Sequence, residues 1–141
     1  MIEFNYQEVD FDFDESAHVV WLSKSILSED KTEGEISYLF CTDNYLLDIN
    51  KEFLNHDTYT DIITFDNTMG KIVGADICIS IERVKENAFD FNVSFDEELR
   101  RVLVHGILHI CGYKDKSDDE AKLMRYKENE KMAMFHVEHK L

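Results

Sequence analysis

Ile2, Phe4 and Tyr6 alternate with polar neighbours, the period-two pattern of a strand with one buried face. From Ser16 to Ser28 the apolar residues Val19, Leu22 and Ile26 fall at helical spacing, and from Glu35 to Cys41 alternation returns through Ile36, Tyr38 and Phe40. Thr42 is placed to cap a helix carrying Leu46, Ile49 and Phe53. Asp61 to Asp66 and Val73 to Ile81 are short β-branched runs joined as a hairpin through Asn67-Thr68-Met69-Gly70. Helical spacing then resumes from Ile81 to about Phe89.

Two further helix starts are marked more sharply. Ser94-Phe95-Asp96-Glu97 and Ser117-Asp118-Asp119-Glu120 both fit the S-x-x-E capping box, which satisfies backbone donors that the first turn leaves unpaired. The helix opened by Ser94 is expected to end at Gly112, where a residue without Cβ adopts the left-handed conformation. Met124, Met132, Met134 and Phe135 follow at roughly helical spacing as the core face of a last helix. The order is β-α-β-α-β-β-α-α-α. A hairpin inside an otherwise alternating series predicts an α+β domain, a mixed sheet of about four strands packed against helices.

The chain of 141 residues reads as one domain, 1–141, without repeat, low-complexity tract or linker. It contains no proline and only five glycines, so turns must rest on Asn, Asp and Ser. Apolar runs extend over only a few residues, so no membrane span or membrane partner is expected. With no basic segment leading into an apolar stretch at its start, the chain is expected in the cytoplasm. Cys41, Cys78 and Cys111 are an odd number, widely spaced inside apolar runs. They read as small buried residues in a reducing compartment, not as a disulfide frame or a thiolate zinc site. The formal charge is −15, which argues against tight, nonspecific nucleic-acid binding. Residues 1–66 hold sixteen acidic and three basic side chains, residues 67–141 fourteen and twelve. An anionic substrate is therefore expected to meet the second half.

That half carries the chemistry. Val102 to Cys111 is apolar or glycine except for His105 and His109, which predicts a largely buried helix. Standing four apart, the two imidazoles share one face. Each ring nitrogen needs a partner there, and a divalent metal supplies one. Asp115 lies six residues beyond His109, across the turn at Gly112. The pattern His-x-x-x-His-x-x-Gly-x-x-Asp thus offers two neutral nitrogens and a carboxylate. Three protein ligands with an open fourth position suit one catalytic zinc ion. The spacing invites comparison with metzincin proteases, but the position of their general base is Gly106 here, which makes a metallopeptidase a weak alternative.

The chain resembles the YbeY family of bacterial endoribonucleases and ribosomal RNA maturation factors. The signature of that family, His-Gly-x-Leu-His-x-x-Gly-Tyr-Asp-His, stands here as His105-Gly106-Ile107-Leu108-His109-Ile110-Cys111-Gly112-Tyr113-Lys114-Asp115. Upstream, Ile49-Asn50-Lys51-Glu52-Phe53, Asp57 and Thr60-Asp61-Ile62-Ile63-Thr64-Phe65 resemble a second family block, and Ala75-Asp76-Ile77 resembles its Gly-Asp-Ile strand. The resemblance implies a single-strand-specific, zinc-dependent endoribonuclease in 16S rRNA 3′-end processing and ribosome quality control. A metal-activated water would be the nucleophile, single-stranded RNA and the ribosomal subunit the partners, with no DNA specificity.

Two departures stand out. Asp115 occupies the place of the third histidine ligand of the family, and Leu54 the place of an arginine associated with phosphate contact. His56 is a candidate to replace that arginine in part; its plainer reading is an ordinary loop histidine. Both departures also admit a non-catalytic ribosome-assembly factor with a structural zinc. Arg100, Arg101, Lys114 and Lys116 flank the metal motif and are candidate RNA-backbone contacts, with Lys122 further on; paired arginines on a solvated helix start are the alternative. His136 and His139 offer spare imidazoles near the C-terminus, read as solvated.

Overall fold

A computed structural model describes residues 1–55 and 59–140, with 136–140 as backbone only. Its elements are β1 (Ile2–Tyr6), α1 (Glu15–Ser28), β2 (Thr32–Cys41), α2 (Asp43–Leu54), β3 (Ile62–Asp66), β4 (Ile72–Ser80), α3 (Ile81–Phe91), α4 (Phe95–Ile110) and α5 (Asp118–Lys140). The expected order holds throughout. The four strands form one mixed sheet in the order β1-β2-β4-β3, with β1, β2 and β4 parallel and β3 antiparallel to β4. The hairpin turns where expected: the Asp66 carboxylate accepts from Thr68 N at 2.9 Å, and Gly70 takes φ +61°.

Alternation in the strands divides the core between the two faces of the sheet. Ile36, Tyr38 and Phe40 of β2 and Ala75, Ile77 and Ile79 of β4 point to one side, where α1, α4 and the end of α5 cover them. On the other side Cys41, Ile63 and Cys78 meet Leu46 of α2 in a smaller cluster. Cys41 and Cys78 are buried and unbridged, and burial pushes their thiols up to about 12 and about 11. They are packing residues, as their apolar flanks suggest.

Helix α4 lies against the middle of the sheet and carries both histidines. Ser94 caps it, its hydroxyl accepting from Glu97 N at 3.0 Å. Ser117 and Glu120 form the full reciprocal box at the start of α5, with bonds of 3.0 and 3.1 Å. Between the two helices the chain reverses through Gly112 at φ +110°. Gly106 is the point of closest approach to the sheet: a Cβ there would come within 3.1 Å of the Ile77 side chain and 3.3 Å of Ile62. The position that holds a base in metzincins therefore faces packed side chains.

Among described residues no helix is long and apolar enough to cross a membrane. Gly106→Ala is expected to be tolerated with small shifts, whereas Gly106→Val should overpack the contact and cost about 1–3 kcal/mol. Urea unfolding checks this. The midpoint should fall at unchanged slope, and an unaltered Gly106→Val midpoint would contradict the close contact.

Candidate metal centre

Two aligned imidazoles on a helix are common, so the orientation of the rings decides what they can do. The His109 Nδ1 lies 3.0 Å from the backbone carbonyl of Tyr113. A carbonyl only accepts, so Nδ1 carries the proton and the neutral ring presents its lone pair at Nε2. The His105 Nδ1 lies 2.7 Å from Glu128 Oε2, which again places the donor at Nδ1. Both Nε2 atoms face a single carboxylate oxygen, Asp115 Oδ2, at 3.2 Å from His105 and 3.3 Å from His109. The ligand atoms of His105, His109 and Asp115 all lie within 4.8 Å of one another.

Three acceptors turned toward one point repel each other unless a cation sits between them. A proton can relieve one nitrogen, whereas a divalent ion relieves all three. The residues therefore fit a metal, with imidazole nitrogens and a carboxylate oxygen as a borderline-soft donor set suited to zinc. The imidazoles are less buried than the apolar flanks suggest. Their side chains are 21% and 30% exposed because this face of α4 looks into a cleft.

The supports of the two rings come from far away in the chain. Glu128 on α5 is nearly buried and also receives Arg101 Nη1 at 3.0 Å. The Tyr113 carbonyl is steadied through its own side chain, whose hydroxyl donates to Glu29 Oε1 at 2.6 Å. Glu29 in turn binds the buried Lys131 at 2.7 Å. Burial works against the His105 imidazolium, but Glu128 and Asp115 more than offset it, so the pKa lies above the ordinary histidine value. Burial also disfavours ionised Glu128, yet the bonds from His105 and Arg101 hold it below the usual carboxylate range.

A cleft of about 730 Å³ opens over the site, lined by His105, His109, Asp115, Asp61, Leu54 and Lys116 among others. Lys116 thus lies where an RNA contact was expected. Lys114 and Lys122 are exposed but line no wall of this cleft. The expectation for the arginines changes. Arg100 lies over the Phe135 ring, 4.5 Å from its centroid, and lines a separate pocket with Asp12, Asp14 and Asp96. Arg101 is engaged with Glu128, the residue that anchors the His105 ring. His56 and Asp57 lie outside the described residues, as do the side chains of His136 and His139. Glu128 has no local signature, because the apolar spacing of α5 reads as a core face and the acid lies within it. Asp61 entered only as part of a family block. It is a cleft carboxyl that burial pushes above its ordinary pKa.

Fold and site together define a small α+β domain with a two-histidine, one-carboxylate pocket whose donors could hold a metal. More particularly, the chain belongs to the Endoribonuclease YbeY family, whose model matches residues 2–136. It is 65% identical over 139 residues to the protein named Endoribonuclease YbeY of Flavobacterium johnsoniae, covering 98% of this chain and 99% of that one. To the protein of the same name from Bacteroides fragilis it is 45% identical over 114 residues, 81% of this chain and 82% of that one. A solution structure from Thermotoga maritima superposes with a TM-score of 0.70 at 25% identity, covering 99% of this chain and 92% of that one.

Glu128→Gln should weaken zinc binding by about 10–100-fold, as loss of a hydrogen-bonded support does. Asp115→Ala should weaken it by at least as much, and Asp115→His should retain it. Competition against a chromophoric chelator measures all three; wild-type affinity in both Glu128→Gln and Asp115→Ala would contradict the site.

In metal-free protein the charge attraction within the His105–Glu128 pair adds stability only while the imidazole is protonated and the carboxylate ionised. The stabilisation is full between about pH 4.3 and 6.5, the unfolded values. It is lost as pH rises through the raised His105 value or falls through the lowered Glu128 value. The melting-temperature advantage of wild type over Glu128→Gln, measured in chelator, should shrink as pH rises above about 6.5. A constant gap would contradict it.

Proposed function

We propose that the protein is a zinc-dependent endoribonuclease that cuts single-stranded RNA. The processing of the 16S rRNA 3′ end on the ribosomal subunit, and ribosome quality control, in the cytoplasm, are the roles proposed for it. The observation that carries this reading is the convergence of His105 Nε2, His109 Nε2 and Asp115 Oδ2 at the floor of an open cleft. Membership of the Endoribonuclease YbeY family supports it. The site is read as holding one ion.

Zinc held by these three residues supplies Lewis-acid chemistry, taking up charge on phosphoryl oxygens and making water acidic enough to attack near neutral pH. The remaining work belongs to the chain. Glu128 and the Tyr113 carbonyl each accept from an Nδ1–H, which leaves both Nε2 atoms turned to the cleft. Asp61 shares the cleft, and its burial lets it hold a proton at higher pH than an exposed aspartate does. Lys116 gives the cleft wall a cation for phosphate. Gly106, packed on the sheet, leaves no base at the metzincin position, which counts against a peptidase.

One observation favours a second reading. Leu54 lines the cleft where the family resemblance places arginine, so a preorganised donor for developing phosphate charge is missing. A ribosome-assembly factor with a structural zinc needs no such donor. Single-turnover cleavage of a labelled single-stranded RNA by zinc-loaded protein separates the two. The nuclease reading expects slow cleavage that His109→Ala abolishes and Leu54→Arg accelerates by about tenfold or more, part of the roughly 10²–10³ that one oxyanion donor typically supplies. Wild type and Leu54→Arg both inert on RNA would favour the assembly factor.

A further inference from the structure

The cleft over the metal centre is not the only pocket that reaches His105. A second, smaller one of about 290 Å³ shares His105, Asp115, Asp61 and Ile62 with it and extends to Glu98, Asn87 and Phe91. That is near the lower end of the roughly 300–1,000 Å³ typical of ligand sites. Arg101 and Glu128 also line it but are bonded to each other, and Glu128 to His105.

Glu98 differs from its neighbours. The residue is only 5% exposed, yet its carboxylate has no hydrogen-bond or ion-pair partner among the described residues. It stands in the first turn of α4, one side of the pocket wall. A carboxylate on a pocket wall with no protein donor is open to donors from a ligand. Burial and the nearby Asp61 charge push its pKa up, and Arg101 and Arg125 act against them.

The chemistry around Glu98 selects the ligand. Asp61, Glu98, Asp115 and Glu128 outnumber Arg101 and Arg125 along this pocket, so a phosphate is disfavoured there. A flat, uncharged group with N–H donors suits it. Phe91 on α3 is 60% exposed and offers a stacking face. Asn87 stands four residues earlier on the same helix side, with an amide that both donates and accepts. These are the parts of a nucleobase site beside a metal centre.

We propose that this pocket holds the base next to the cleaved phosphodiester and selects guanine there. The inference deepens the nuclease reading above and rests on it for its substrate. Guanine presents two adjacent donors, N1–H and the N2 amino group, to the two oxygens of one carboxylate, a bidentate match. Its O6 is left to accept from the Asn87 amide. Uracil presents two carbonyl oxygens around a single N–H, and these oppose a carboxylate.

Two measurements test the proposal. In the first, zinc-loaded protein cleaves short single-stranded RNAs that differ only in the bases flanking the cut. Wild type should favour guanine over uracil at one flanking position by about tenfold, the size expected of one bidentate base contact. Glu98→Gln should erase that preference. Phe91→Ala, a surface change that spares the fold, should weaken it. Cleavage without base preference, or a preference that survives in both variants, overturns the base site and leaves the nuclease reading standing.

In the second, guanosine and uridine 5′-monophosphates are titrated into the protein while NMR follows the Phe91 ring and the Asn87 side-chain amide. Shifts with the guanine nucleotide alone, reduced in Phe91→Ala and absent in Glu98→Gln, sustain the site even if no RNA is cut, in which case only the nuclease reading falls. Equal shifts with both nucleotides, or none with either, overturn the site.

Discussion

Two imidazole lone pairs and a carboxylate oxygen are held face to face, and much of the molecule serves to keep them so. Left to itself, His105 or His109 would rotate to escape the repulsion. Neither ring is free to do so, because each Nδ1 is tied to an acceptor on another segment, Glu128 at 2.7 Å and the Tyr113 carbonyl at 3.0 Å. The repulsion among these acceptors is what a cation between them would relieve.

Those ties explain features of the fold that packing alone does not require. Helix α5 buries Glu128 and Lys131 beside Met124, Met132 and Phe135. Glu128 sets His105, while Lys131 and Glu29 fix the side chain of Tyr113, whose carbonyl sets His109. Helix α1 enters the same network at its C-terminal end, through Ser28 and Glu29. The sheet contributes through Gly106, which lets α4 approach closely enough for one face to pack while the opposite face opens to the cleft. Substitution of a residue remote in sequence, such as Glu29, therefore reaches the site through a short chain of hydrogen bonds.

The element order, the hairpin and the ligand triad were legible in the sequence because each has a local signature: alternation for β2, S-x-x-E for α4 and α5, and His-x-x-x-His-x-x-Gly-x-x-Asp for the site. What stayed hidden was tertiary. Glu128 stands 23 residues from His105, and a buried acid on α5 interrupts the apolar stripe that would mark its inward face. Arg100 and Arg101 are neighbours in sequence, but the helix turns one onto Phe135 and the other onto Glu128. No spacing rule separates them. The apolar flanks of His105 and His109 likewise predicted burial for a helix whose polar face turns out to open on a cleft.

The central claim is that one ion sits between His105 Nε2, His109 Nε2 and Asp115. A crystal structure of the protein grown with zinc, with anomalous scattering measured on both sides of the zinc edge, tests it most directly. The account predicts one zinc peak bonded to all three residues at about 2.0–2.2 Å, the usual Zn–N and Zn–O distances, with both Nδ1 contacts kept. A zinc peak bonded through Nδ1, or one that leaves Asp115 out and takes another side chain, would contradict it.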